Sequence, residues 1–246
     1  MEYKIIHYCW FGRNPLPPLA KKCIKSWKKF LPNYEIKEWN EDNFNVNITR
    51  YTKEAYDAKK YAFVSDYARF WILYQYGGIY FDIDVEMIRP INNIISQGPF
   101  MGCEEDVTST LKHITVNPGL GLYAPPKLDF YKNILDMYGN LSFIDSKGNM
   151  NLTTIVSYTT ELLRNYGLKD LNVIQKCGDI YIYPKDYFCP IDYGTNKLYI
   201  TENTYTIHHY NASWLTAQMK IKRKLYLLII NTPILNYFFK LYKKYR

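Results

Sequence analysis

Residues 62–90, AFVSDYARFWILYQYGGIYFDIDVEMIRP, decide how this chain is read. From Val64 to Tyr74 apolar side chains recur three and four apart (Val64, Ala68, Trp71, Ile72), the spacing of a core-facing helix, with Ser65 as a cap near its start. Gly77-Gly78 stops that helix. Ile79 to Val85 is rich in β-branched and aromatic residues and predicts a short buried strand, on which a period of two puts Asp82 and Asp84 on the same face. Two carboxylates so placed call for a cation. A divalent ion with oxygen ligands offsets their repulsion and leaves positions open for a phosphate-bearing ligand. Taken alone, the triplet is a weak signal that better describes two solvated aspartates at a strand end.

Outward from this stretch the pattern alternates strand and helix. Lys4 to Gly12 predicts an opening strand with Trp10 and Phe11 at its carboxyl end, where ligands of open α/β sheets bind, and His7 within it as a core histidine. Leu19 to Phe30 has helical spacing, and Tyr34 to Trp39 alternates as a second strand, which completes a βαβ unit. Further on, Asn117-Pro118-Gly119 marks a turn, Leu128–Tyr138 and Leu152–Tyr166 are amphipathic helices, and Ile180 to Pro184 is a late strand. Tyr205 to Trp214, YTIHHYNASW, carries two adjacent histidines on a strand and then a serine and a tryptophan. Imidazole, hydroxyl and indole N–H suit the completion of a metal-diphosphate site. Adjacent strand residues face opposite sides, so one histidine reaches the metal; His209, nearer Trp214, is assigned, with His208 left open.

The 246 residues suffice for one large α/β domain, placed at 1–217, with a tail at 218–246. Of the 31 basic residues eight follow Glu202, where no acidic residue occurs, so the body is formally neutral and the net charge of +8 belongs to the tail. A nucleic-acid groove would need that charge on the body, and none is expected. The five cysteines are scattered and odd in number, which predicts neither a zinc site nor a disulfide framework, and no secretory signal is read at the start. A cytoplasmic setting is expected.

Ser65-Asp66-x-x-Arg69, followed by Tyr76-Gly77-Gly78-Ile79-Tyr80-Phe81-Asp82-x-Asp84-Val85-Glu86, resembles the glycosyltransferases related to yeast α-1,6-mannosyltransferases and bacterial capsule enzymes. More distantly it is similar to the catalytic domain of the clostridial glucosylating toxins. The resemblance implies a single GT-A-type α/β domain, a Rossmann-like mixed sheet flanked by helices. It also implies metal-dependent, retaining transfer of a hexose from a nucleotide-diphosphate sugar, UDP-sugar favoured, to a saccharide acceptor in capsular or other surface polysaccharide synthesis. In its terms Trp10 stacks on the base, Asp66 holds sugar hydroxyls and Arg69 a phosphate. Asp84 and His209 hold Mn²⁺ or Mg²⁺, Asp82 contacts ribose or metal, Asn117 faces the donor sugar, and Ser213 and Trp214 donate to the diphosphate. Two alternatives stand beside it: a haloacid-dehalogenase-like phosphatase, whose downstream acidic pair would be Gly178-Asp179 at best, and a non-catalytic sugar-nucleotide-binding module.

In the tail, basic clusters flank Leu225–Ile230 and the apolar residues after Pro233. These runs are too short and interrupted to span a bilayer but suit an anionic membrane surface at its inner face, where a lipid-linked oligosaccharide acceptor would be presented. Packing onto the domain, or a homo-oligomer contact, is the alternative use of this segment.

Overall fold

The computed structural model describes residues 3–210, 217–232 and 235. Strand β1 (Ile5–Cys9) pairs in parallel with β2 (Glu35–Trp39) across helix α1 (Pro18–Phe30), the expected βαβ unit. Alternation along β1 sends Ile6 and Tyr8 to one core and Cys9 to the other. Pro18 starts α1, where a missing N–H costs nothing, and the helix buries Ala20, Cys23 and Trp27. Trp27 Nε1 also donates to the Val85 carbonyl at 2.7 Å, which ties α1 to the aspartate segment.

After α2 (Arg50–Asp57), α3 runs from Tyr61 to Tyr76 and is buried on nearly every side. It begins earlier than the apolar spacing predicts, so Ser65 lies inside it and donates to the Tyr61 carbonyl at 3.2 Å instead of capping. Gly77, at φ +65°, closes the helix through its N–H to the Leu73 carbonyl. Gly78, at φ +99°, then turns into β3 (Gly78–Tyr80), where a Cβ would stand 2.7 Å from the Ile5 carbonyl oxygen. Only glycine permits that approach.

The predicted strand Ile79–Val85 is two strands. A tight turn with the Val85 N–H on the Asp82 carbonyl separates β3 from β4 (Val85–Met87), and both aspartates sit in the turn. Further elements are α4 (Asn92–Ile95), β5 (Phe100–Glu105), β6 (Thr115–Asn117), β7 (Leu122–Ala124), α5 (Asp129–Gly139) and α6 (Ile155–Asn165). They are followed by β8 (Gln175–Cys177), β9 (Ile180–Tyr183), α7 (Lys185–Phe188), β10 (Thr206–His208) and α8 (Ala217–Asn231). The main sheet is mixed, in the order β2-β1-β3-β7-β5-β9-β8 with β6 on β5, while β4 leaves it and pairs antiparallel with β10. One core joins α2, α3, α5 and α6, with Tyr51, Phe70, Tyr131 and Tyr138 buried together. The other joins α1, the aspartate turn and α7 around Trp27, Phe81 and Phe188.

The tail helix α8 touches the body. The Arg223 guanidinium lies 4.1 Å from the Tyr193 ring centre, and Asn231 Nδ2 donates to the Thr195 carbonyl at 2.9 Å. Among the described residues no helix is long and apolar enough to cross a membrane.

His7 is a core residue, as expected. Trp39 Nε1 donates to its Nδ1, so its Nε2 carries the proton donated to the Gly77 carbonyl, each at 3.0 Å. Burial depresses its pKa from 6.5 to about 4. The unfolded chain therefore takes up this proton first, and the stability present above pH 6.5 is lost as the pH falls toward 4. By linkage His7 should account for about 2 kcal/mol lost between pH 7 and pH 5. Urea unfolding at both values checks it: His7→Gln should show a pH loss smaller by about that amount than the wild-type chain, and equal losses would count against this role.

Candidate active site

The site is built around a buried guanidinium. Arg69, 4% exposed, projects from α3 and sets one nitrogen 3.1 Å from Asp66 Oδ1 and 3.1 Å from Asp82 Oδ1. Three residues on a helix bring Asp66 and Arg69 to one face, whereas Asp82 arrives from the turn after β3. Tyr80 adds a hydroxyl donated to Asp82 Oδ1 at 3.0 Å, and its ring lies under the guanidinium. Burial works against a charged Arg69, yet Asp82, Tyr80 and Asp66 together hold its pKa above the ordinary value. Burial raises Asp66 to about 7, against the pull of Arg69 and of the Ile155 N–H at the first turn of α6. Asp82 is raised as well, by burial first and by Asp84, with Arg69 opposing. One guanidinium nitrogen is thus shared by the Asp66 and Asp82 carboxylates, and through it Arg69 helps to orient Asp82.

Asp84, at the other end of the turn, meets the last strand of the body. The β4–β10 register sets His208 opposite Val85, and His208 Nε2 lies 3.3 Å from Asp84 Oδ1. Burial disfavours a charged imidazole there, but the Asp84 carboxylate prevails and raises the His208 pKa well above its usual value. His209 points elsewhere, its Nε2 2.8 Å from Glu86 Oε2, which Lys22 also holds at 2.7 Å. The assignment of His209 to the aspartates is therefore corrected: alternation does separate the two histidines, and the pairing with β4 gives the inward face to His208. Asp82, Asp84 and His208 bring ligand atoms within 4.8 Å of one another. Two hard carboxylates and one imidazole form a donor set that fits Mn²⁺ or Mg²⁺.

Asn117 and Gly119 form the wall beside Asp82. Asn117 Oδ1 accepts from the Gly119 N–H at 2.7 Å, its Nδ2 donates to Glu104 Oε1 at 3.0 Å, and the Gly119 carbonyl accepts from the Asp82 N–H. Asn117 is thus at once an ordinary turn residue and a neighbour of the site. Trp10 stands at the end of β1, half-buried, its indole N–H donated to the Asn14 carbonyl. Ser213 and Trp214 lie outside the described residues. Tyr80 and Glu104 were missed: Tyr80 precedes Asp82 by two and was visible as a polar aromatic, whereas nothing local in the sequence marks Glu104. Gly178-Asp179 forms the turn between β8 and β9 at the far end of the sheet order, so the phosphatase alternative lacks its acidic partner.

Residues 17–101 match the family model described as the glycosyltransferase sugar-binding region containing the DXD motif. That stretch is similar to the sugar-binding region of glycosyltransferases with a DXD motif. It holds Asp66, Arg69, Tyr80, Asp82 and Asp84, while Glu104, Asn117 and His208 lie beyond it. Inositol phosphoceramide mannosyltransferase 3 of Schizosaccharomyces pombe is 31% identical over 100 residues, covering 37% of this chain and 27% of that protein. An uncharacterized glycosyltransferase, L373, of Acanthamoeba polyphaga mimivirus is 25% identical over 221 residues, 85% of this chain and 82% of the viral protein. Among solved structures, the PaToxG glycosyltransferase superposes with a TM-score of 0.50 at 18% identity, over 66% of this chain and 69% of that one. The fold is the expected GT-A-like one, a large mixed sheet flanked by helices.

A Cβ on Gly119 would run into Asp82 Oδ2 and reach 3.0 Å from Asn117 Oδ1, whereas one on Gly139 would meet no other atom within 4 Å. Gly119→Ala should cost about 1–3 kcal/mol of stability by overpacking, and Gly139→Ala, in a helix, should be neutral or mildly stabilising. Urea midpoints of the two variants test the contrast, and equal midpoints would refute it.

Proposed function

We propose that this protein is a metal-dependent, retaining hexosyltransferase that takes its sugar from a nucleotide-diphosphate sugar, UDP-sugar favoured, and passes it to a saccharide acceptor. The observation that carries this reading is the convergence of Asp82, Asp84 and His208 at the end of the matched sugar-binding region. These three residues would hold Mn²⁺ or Mg²⁺, which supplies positive charge to the departing nucleoside diphosphate. Arg69 and Tyr80 fix the direction of Asp82, so that one carboxylate oxygen is occupied and the other is left for the ligand. Asp66 and Asn117 are assigned to the donor sugar and Trp10 to the base, and Ser213 and Trp214 are assigned to the diphosphate on the sequence resemblance. In the reaction the bond from the anomeric carbon to the diphosphate oxygen breaks, a bond to the acceptor hydroxyl oxygen forms, and the hydroxyl proton is released.

Release of nucleoside diphosphate from a panel of UDP- and GDP-sugars with Mn²⁺ tests this reading against a phosphatase, which would release phosphate, and against a binding module, which would release nothing. Asp84→Ala and His208→Ala should each lower turnover by about 10²-fold or more, while His209→Ala should leave most of it. In parallel nucleotide titrations Trp10→Ala should weaken binding by about 1–3 kcal/mol, the range of stacking on a base. Turnover that survives Asp84→Ala or a chelator would sink the assignment.

The acceptor is proposed to be presented at a membrane. The yeast relative is named for transfer to inositol phosphoceramide, a lipid, and α8 exposes Leu225, Tyr226 and Leu228 next to Lys222 and Lys224. We assign the tail to the anionic inner face of the cytoplasmic membrane, with a lipid-linked oligosaccharide of a capsular or other surface polysaccharide as acceptor. Co-sedimentation with anionic and neutral vesicles should show salt-sensitive binding of the full chain to anionic lipid only. A chain ending at Gln218 should lose it, and equal partitioning of the two would rule the tail out; equal binding of both vesicle types would rule out the charge argument.

A further inference from the structure

The metal-site histidine is connected to the tail helix by an unbroken column of rings. Tyr210, two residues after His208, has φ +49°, in the left-handed region that residues other than glycine seldom adopt. That turn folds its ring back over His208, with centres 4.5 Å apart and planes at 67°. Its hydroxyl lies 2.9 Å from Sγ of the buried Cys189, which fixes the far end of the ring. Tyr193 meets Tyr210 edge-on, with centres 5.0 Å apart and planes at 62°. Over the Tyr193 ring sits the Arg223 guanidinium of α8, while Asn231 of the same helix holds the Thr195 carbonyl of the same loop.

We propose that Tyr210 and Tyr193 are positioning residues for His208 and that α8 clamps them in place through Arg223. This rests on the reading of His208 as a metal ligand. The physical reason is that the strand pairing of β10 fixes the His208 backbone but not its ring plane, and a ring fixed in advance loses less freedom when it binds an ion. Edge-on packing of Tyr210 fixes that plane, and the left-handed backbone at Tyr210 is a local strain retained where it serves this orientation. Tyr193 keeps Tyr210 from swinging outward, and a cation over its open face holds it there.

The test is a titration of the full chain with Mn²⁺ alone, followed by loss of the free-ion electron paramagnetic resonance signal. Tyr193→Ala and Arg223→Ala should each weaken Mn²⁺ binding by about tenfold, the lower bound for changes behind a ligand. Tyr193→Phe keeps the ring and Arg223→Lys keeps the cation, so both should stay within about twofold of the wild type. Arg223→Gln, a surface change of similar length, provides a second folded variant and should behave as Arg223→Ala, with melting temperatures as the control. Wild-type affinity in Tyr193→Ala, Arg223→Ala and Arg223→Gln, alongside lost affinity in Asp84→Ala, would overturn the column and leave the metal site standing. Equal binding by the wild type and Asp84→Ala would instead overturn the metal site, and this proposal with it.

Discussion

A guanidinium withdrawn from water must find its counter-charges within a few ångströms, and in this protein that requirement falls on Arg69. It lies inside a helix sealed by Phe63, Phe70 and Leu73, with Asp66 one turn before it and Asp82 delivered from another element. The helix cannot pack without the turn that brings Asp82, and the turn cannot settle without the charge that receives it. Gly77 and Gly78 let the chain reverse quickly enough for both to occur within 13 residues. Everything else in the site is referred to this pair: Tyr80 stacks on one and donates to the other, and Gly119 lies against the carboxylate so closely that no side chain fits between.

Much of this was legible in the chain itself, because it depends on residues near one another in sequence. The periodicity from Val64 to Tyr74, the glycine pair, and the spacing of Asp66, Arg69, Asp82 and Asp84 located the helix, the break and the acidic segment. The opening βαβ unit and the helices at 129–139 and 155–165 followed from the same reasoning. Where the reading went astray, the missing information was long-range. Apolar and aromatic residues from Ile79 to Val85 describe one strand equally well as two strands with a turn, and the choice is made by β10, which draws Val85–Met87 away from the main sheet. The same pairing chooses between His208 and His209. Alternation states that the two face opposite sides, but which side is inward is a phase that only the partner strand supplies.

The comparisons divide the site in a way that matches this account. The match to the glycosyltransferase sugar-binding region spans residues 17–101 and contains the parts that local sequence specifies. Glu104, Asn117 and His208 fall outside it, on segments that approach through the sheet and the β4–β10 pair. The likeness to PaToxG, at 18% identity, reports a shared arrangement of strands and helices, the level at which such distant chains remain comparable.

The β4–β10 pair also sets an order of events during synthesis. Asp84 and His208 are separated by 124 positions, so at about 5–20 residues per second a growing chain carries the aspartates for roughly 6–25 s before the histidine is made. Over that interval Arg69 and Tyr80, both synthesised earlier, are already available to answer Asp82, whereas the contact of His208 with Asp84 forms only once β10 is made. The three-group cluster therefore forms only after residue 208 is made, and a product broken off before residue 208 would carry the matched region with its carboxylates but not the imidazole that joins them.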